Sequence, residues 1–323
     1  MLLSVISILA GFFLLVKGGD YLVEGASAVA RYANLSPMII GLTVVGFGTS
    51  FPELLVSTQA ALAGSPGIAI GNVVGSNIAN IALILGVTAL IHELPIKRTT
   101  LHLEIPFTIL ATALFMYAAL EDGVIEQWEG FVMAVLLLGF VSWQIRDSRS
   151  EVRPDDIILP ENMPLWRAIL YVIGSFAALV FGADLLISGS SDMARTIGDT
   201  MGVDPASMEQ MIGLTIVAVG TSLPELFASV MAARKGETDM AIGNIVGSVT
   251  FNLLFVVGVA SIVCPIEGAA DKGFLLSYII MAALTPLLWV FMRTSYRLER
   301  WEGFLLLAIY IGFLVCTILK VEI

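Results

Sequence analysis

Charge is scarce in this chain. Lysine, arginine, aspartate and glutamate make up 13% of its 323 residues, where a soluble domain carries about a quarter. Hydrophobic residues make up 58% and the mean hydropathy is +0.93, which excludes an ordinary soluble domain and leaves an integral membrane protein. Basic residues are the scarcer sign, 16 against 27 acidic for a net charge of −11. A nucleic-acid partner, which calls for a basic face, is therefore excluded. Cysteine is nearly missing: Cys264 and Cys316 lie far apart in apolar segments and read as packing residues. His92 and His102 sit near a loop, away from every repeated motif, so a zinc or copper site has little to build on. Nor is a cleavable leader expected. Met1 to Val16 lacks a basic start and a small-residue cleavage site, and it continues through Lys17-Gly18-Gly19-Asp20, which predicts a retained first span.

What is present is a series of long apolar runs. A helix needs about 20 mostly apolar residues to cross the hydrocarbon core. That rule predicts ten spans, roughly 2–30, 37–62, 68–91, 101–120, 127–145, 166–190, 209–233, 240–263, 273–293 and 301–319. The one sizeable polar break, 146–164, carries Arg149, Glu151, Arg153, Asp155, Asp156 and Glu161. It reads as a linker between a first repeat, 1–145, and a second, 165–323. The fold class expected is an all-α polytopic membrane protein, ten transmembrane helices as two five-helix repeats. Five spans per repeat is odd, so the halves are inverted, the transporter arrangement with a site at the midplane between them.

The repeat is visible residue by residue. Gly48-Thr49-Ser50-Phe51-Pro52-Glu53 recurs as Gly220-Thr221-Ser222-Leu223-Pro224-Glu225, a step of 172 from Glu53 to Glu225. Ala69-Ile70-Gly71-Asn72-Val73-Val74-Gly75-Ser76 recurs as Ala241-Ile242-Gly243-Asn244-Ile245-Val246-Gly247-Ser248, again a step of 172. Gly18-Gly19-Asp20 matches Gly182-Ala183-Asp184, and Trp128-Glu129-Gly130-Phe131 matches Trp301-Glu302-Gly303-Phe304. On a ten-span count twelve basic residues, from Arg31 and Lys97 to Arg297 and Arg300, fall on one side. Arg195, Lys272 and Lys320 fall on the other and Lys17 lies inside the first span. The positive-inside rule then predicts a cell (cytoplasmic) membrane protein with a cytoplasmic linker and both termini outside.

An ionisable residue within a membrane span is a functional-site hypothesis by default, and here Glu53 and Glu225 hold matching places in two halves. Pro52 cannot donate the helical hydrogen bond to the Gly48 carbonyl, and Pro224 does the same to Gly220, so spans 2 and 7 should kink or break there. The break bares backbone oxygens, which membrane depth tolerates only against protein, water or an ion. Thr49 and Glu53 are four apart and share a helix face, as do Thr221 and Glu225. Asn72, Ser76 and Asn80 form a polar stripe, repeated by Asn244, Ser248 and Asn252. The resulting shell is all oxygen, which hard cations such as calcium and sodium prefer. Two carboxylates balance one calcium or two sodium ions; a third sodium leaves the loaded carrier positive.

These motifs resemble the alpha repeats of the cation/calcium exchanger superfamily, specifically its prokaryotic sodium/calcium exchangers, and the resemblance covers nearly the whole chain. It implies that Glu53 and Glu225 bind calcium and share it with sodium. It also implies hydroxyl ligands from Thr49, Thr221, Ser50, Ser222, Ser76 and Ser248, backbone carbonyls from Gly46 and Ala218, and central positions for Asn80 and Asn252. Potassium-dependent relatives carry an acid where this chain has Asn252, which argues against potassium cotransport. The Thr-Ser pairs before each glutamate favour sodium over protons. Val249 stands where the family usually has asparagine, so the two copies differ near the site.

The sequence thus implies a sodium/calcium antiporter, no enzyme, with calcium and sodium as transported ions, no other cofactor, the lipid bilayer as environment, and a monomer able to suffice. Calcium/proton exchange, a simple channel and an intramembrane enzyme built on Asp20 and Asp184 are the alternatives. Asp20 and Asp184 read more simply as packing features, since their family counterparts are not ion ligands. Lys17 is spaced to pair with Asp20, Arg31 and Arg195 read as interfacial anchors, and Trp128 and Trp301 fit the aromatic belt.

Overall fold

The computed structural model describes residues 2–151, 163–201 and 220–318; Ala218, the stretch 209–219 of the expected seventh span and 152–162 of the expected linker lie outside them. In chain order the helices are α1 (Leu2–Ala33), α2 (Pro37–Thr49), α3 (Phe51–Leu62), α4 (Pro66–Ile91), α5 (Thr100–Glu121) and α6 (Gln127–Glu151). The second half gives α7 (Leu165–Met201), α8 (Leu223–Arg234), α9 (Thr238–Val263), α10 (Lys272–Ser295) and α11 (Arg300–Ile318). Among the described residues eight helices are long and apolar enough to cross a membrane, and α2 with α3 makes a ninth, broken span. The chain is an all-α polytopic membrane protein. The span expected at 166–190 is too short, because α7 runs on to Met201. No proline follows Gly189 before Met201, the helix runs through Gly198 without a break, and Thr196 and Thr200 bond back to the carbonyls four residues earlier.

Four two-residue strands tie the halves together: β1 (Leu94–Pro95), β2 (Val124–Ile125), β3 (Ile266–Glu267) and β4 (Arg297–Leu298). β1 pairs with β4 and β2 with β3, both antiparallel. By repeat register β3 is the copy of β1 and β4 the copy of β2, so the two pairings are one contact seen twice. That is the signature of a two-fold relation between the halves. The glycine contacts obey it as well. A Cβ on Gly303 would lie 2.8 Å from the Gly86 carbonyl, and a Cβ on Gly258 would lie 2.8 Å from the Gly130 carbonyl. Small residues at such crossings let membrane helices approach backbone to backbone.

The duplicated Trp-Glu-Gly-Phe motif is a helix start. Glu129 Oε2 accepts from the Glu126 N–H at 2.8 Å and Glu302 Oε2 accepts from the Glu299 N–H at 2.8 Å. In each case the third helical residue caps the residue before the helix, the backward half of a capping box. Trp128 and Trp301 donate to the Glu126 and Glu299 carboxylates, both at 2.7 Å, and both rings are exposed.

α1 and α7 lie against each other along their length, with Gly11 on Gly182 and Gly189 on Ser4. The pairing expected between Lys17 and Asp20 is not made. Lys17 is exposed, and Asp20 instead meets Lys235 at the end of α8, 3.2 Å from its carboxylate and 2.6 Å from its carbonyl. Helical spacing permitted the local pair, but the close packing of Gly19 on Phe227 and Met231 of α8 turns Asp20 toward Lys235. Arg195 does not stand alone either, since it pairs with Asp192 at 3.1 Å.

If the glycine crossings hold the halves together, Gly303→Val overpacks the α4–α11 contact and costs about 1–3 kcal/mol. Gly312→Val, on the same helix with open space around it, leaves stability unchanged. Thermal unfolding of the purified protein in detergent checks both.

Candidate cation site

Two prolines set the local geometry. Pro52 has no N–H for the Gly48 carbonyl, and the helix stops at Thr49 and resumes at Phe51 with a bend of 45°. The hinge residue Ser50 has φ −86° and ψ 3°, and its copy Ser222 has φ −91° and ψ 6° before α8 begins at Leu223. The two breaks therefore share one conformation. Glu53 and Glu225 fall in the first turns of α3 and α8, where the positive end of the helix dipole favours a carboxylate.

The striped helices then lock each glutamate. Asn72 Nδ2 on α4 donates to the Glu53 carbonyl at 3.2 Å and to Ser57 Oγ at 2.9 Å. Asn244 Nδ2 on α9 donates to the Glu225 carbonyl at 3.3 Å and to Ser229 Oγ at 2.8 Å. Across the halves, Thr49 Oγ1 donates to Asn244 Oδ1 at 3.2 Å, and Ser248 Oγ lies 3.5 Å from Thr49 Oγ1. Ser248 Oγ also donates to the Gly46 carbonyl at 3.4 Å, which accepts from the Ser50 N–H at 3.0 Å as well. Ser50 Oγ donates to Glu225 Oε1 at 3.5 Å. Ser76 stands beside the Glu53 carboxylate without closing a hydrogen bond to it. Thr49, Ser50, Glu53, Ser76 and Asn80 of the first half and Ser222, Glu225, Ser248 and Asn252 of the second are all buried, and Thr221 is half-buried.

What these bonds leave over defines the chemistry. Both carboxylate oxygens of Glu53, Glu225 Oε2, Ser222 Oγ, both amide atoms of Asn80 and Asn252 Oδ1 are buried without a hydrogen-bond partner. Each such neutral group costs about 1–3 kcal/mol and a charged one more. Among the described residues no basic side chain forms an ion pair with either glutamate. Nor do three acidic, histidine or cysteine side chains converge anywhere among them. Among the described residues the set offers carboxylate, hydroxyl and amide oxygens, which a hard cation prefers.

The two copies differ at one point that the sequence marks. Asn77 has Val249 as its copy. Asn77 Oδ1 accepts from Asn252 Nδ2 at 3.1 Å, and Asn77 Nδ2 rests on Met281 Sδ of α10 at 3.9 Å. Asn252 is thereby oriented with Oδ1 left over. The equivalent neighbour of Asn80 is Val249, which offers nothing, so both ends of the Asn80 amide stay unsatisfied. Both asparagines open a π-helical turn or stand within its first residues, Ala79–Ile84 and Asn252–Val256, a distortion frequent at functional sites.

The structure brings together the glutamates, the described hydroxyls and the central asparagines named from the sequence, and adds Asn77, Ser57 and Ser229, which were not among them. Serine four residues after each glutamate was the available signal for the last two. For Asn77 it was the unmatched polar residue beside Ser76.

Inverted halves closing on a buried oxygen-lined site define a polytopic membrane transporter architecture. The family described as sodium/calcium exchanger protein matches residues 3–146 and 167–319, and the chain belongs to that family. CaxA of Alkalimonas amylolytica, an antiporter by its name, is 41% identical over 97% of this chain and 98% of its own length. The sodium/calcium exchanger MaX1 of Methanosarcina acetivorans is 32% identical over 95% of this chain and 96% of its own. The solved sodium-calcium exchanger NCX_Mj, soaked with 10 mM Na+ and zero Ca2+, superimposes with a TM-score of 0.82 at 29% identity, covering 97% of this chain and 98% of that one.

Asn77→Val strands the Asn252 amide N–H in the core. It lowers stability in detergent by about 1–3 kcal/mol, while Val249→Asn, which gives Asn80 a partner, does not. A larger loss from Val249→Asn than from Asn77→Val would sink the assigned role.

Proposed function

We propose that this protein is a secondary antiporter that exchanges sodium for calcium by alternating access, with Glu53 and Glu225 as the carboxylates both ions compete for. The observation that carries the reading is the pair of buried glutamates among unsatisfied oxygen donors, with no ion-paired base among the described residues. Thr49, Thr221, Ser50, Ser222, Ser76 and Ser248 supply hydroxyl oxygens, Asn80 and Asn252 amide oxygens, and Gly46 and Ala218 carbonyls.

Charge decides when the carrier can move. Two bare carboxylates at membrane depth are costly to carry across, so the empty site resists the transition. One calcium ion cancels both charges. Sodium ions do so in pairs, and a third makes the cycle electrogenic. The site holds no third carboxylate where Asn252 stands, which favours potassium independence. Each half supplies one glutamate, so a monomer suffices.

The moving element is the α1–α7 pair. Its two helices pack on each other through glycines, and at the helix breaks its contacts are side chains: the Phe176 ring covers Gly48 and Ile187 covers Gly220. Sliding this pair exposes one break while covering the other, which opens the site to one side at a time. The protein resides in the cytoplasmic membrane, with the 146–164 linker between the repeats inside and both termini outside.

Calcium uptake by proteoliposomes under separately imposed sodium, proton and potassium gradients tests this. An outwardly directed sodium gradient alone drives calcium in and the potassium gradient adds nothing; uptake driven only by protons assigns a calcium/proton exchanger instead. Glu225→Gln removes calcium uptake by a factor of at least about 100, the scale on which a displaced or lost essential group acts, and leaves a folded protein. Full transport by that variant would overturn the site.

A further inference from the structure

A cavity of about 580 Å³ lies between α1 and α7, within the range of about 300–1,000 Å³ usual for ligand pockets. None of the residues that line it belongs to the duplicated site. Its walls are apolar, with Phe13 and Leu14 on α1 facing Leu170 and Ala178 on α7. Its floor is made of small residues, Gly18 and Gly174, and a Cβ on Gly174 would meet nothing within 4 Å. Phe13 and Leu170 are both exposed. In a polytopic membrane protein such an apolar, open flank faces lipid.

Two polar groups interrupt this lining. Lys17 is the one charged residue that lines the cavity, and among the described residues it forms no ion pair. Asp20, one turn along α1, is taken by Lys235, and Glu24, two turns along, lies outside the lining. A charge inside a membrane span is costly and marks a functional site by default. Ser175 is 3% exposed, and its Oγ is buried with no hydrogen-bond partner, a group that calls for a ligand or water. The polar and apolar parts are also ordered along the cavity. Phe12 meets Phe227, Gly19 meets Phe227 and Met231, and Asp20 meets Lys235, so α1 runs in the same direction as α8. The Lys17–Tyr21 end therefore points toward the turn after α8, where the chain leaves the span at Lys235 and Gly236, and the Phe13 end points inward. Tyr21 and Tyr171 pack edge-on at the outer end, ring centroids 5.1 Å apart, as tyrosines do at a membrane–water interface.

We infer that the α1–α7 cavity seats one anionic phospholipid, its phosphate held by the Lys17 ammonium with Ser175 Oγ as a second donor, and an acyl chain lying along Gly18 and Gly174. Charge selects the occupant. A basic pocket between transmembrane helices attracts anionic head groups, and no acid of the protein competes for Lys17 among the described residues. The Lys17 stem lies on the apolar wall and carries its charge toward the head groups. The bare floor at Gly174 leaves room for the chain.

Native mass spectrometry of the delipidated full-length protein in detergent tests this, with phosphatidylglycerol, phosphatidylcholine and inorganic phosphate as separate probes. One phosphatidylglycerol binds per chain, at least tenfold tighter than phosphatidylcholine, and inorganic phosphate alone does not bind. Lys17→Gln weakens phosphatidylglycerol at least tenfold, while Lys17→Arg, which keeps the charge, retains it. Gly174→Leu, which fills the floor and leaves Lys17 in place, also weakens phosphatidylglycerol at least tenfold. Equal affinity for the two lipids, graded uptake of many lipids without a single-site step, or binding of inorganic phosphate by itself overturns the inference. So does unchanged phosphatidylglycerol affinity in Lys17→Gln or Gly174→Leu, or its loss in Lys17→Arg. The comparison of the two lipids uses wild-type protein, so it decides the matter even where a variant fails to fold.

Discussion

Two carboxylates buried within broken apolar spans, with no ion-paired base among the described residues, are the constraint on which the rest of the structure depends. Glu53 and Glu225 are 2% and 1% exposed, and neither forms an ion pair among the described residues. Burial of this kind is tolerated only where something neutralises the charge. Among the described residues no base stands beside them, and hydroxyl and amide oxygens surround them instead. Proline breaks put each glutamate at a helix start, where the dipole gives partial compensation. Asparagines from the striped helices hold each glutamate by its backbone and leave its side chain open. The structure fixes the carboxylates and leaves both Glu53 oxygens and Glu225 Oε2 without a hydrogen-bond partner.

The two-fold relation is the means of construction. One broken helix and one striped helix form half a site; the inverted copy completes it without a second gene product. The same economy appears at the periphery, where a strand pairing and a glycine crossing each occur twice. Symmetry stops where chemistry needs it to. Val249 opposite Asn77 lets one central asparagine be held and leaves the other unheld. Ser50 reaches Glu225, while its copy Ser222 has no partner. Two identical half-sites would present identical fields to unlike ions; the small inequalities make the enclosed positions different.

Much of this was legible in the sequence because its carriers are local. Proline at 52 and 224 removes the helical hydrogen bond to Gly48 and Gly220 whatever surrounds it, the spacing of four puts Thr49 with Glu53, and apolar run lengths give spans. The duplicated helix-start motif was visible as a repeat, but its meaning was not, because a cap is recognised only when Glu129 is seen reaching the Glu126 N–H. Local reasoning also misled. Lys17 is correctly spaced for Asp20, yet Lys235, distant in sequence, takes that partner.

The sequence by itself determined the class of fold, the two breaks and the residues that carry oxygen, because hydropathy, proline and helical periodicity act over a few residues of chain. Only the tertiary structure decided how the halves meet. It set which asparagine steadies which glutamate, that Asn77 orients Asn252, that Phe176 covers one break and Ile187 the other, and that Lys17 and Ser175 line one cavity between α1 and α7. Those outcomes depend on contacts between residues up to about two hundred positions apart, and no local pattern encodes the distance between two helices once they are packed.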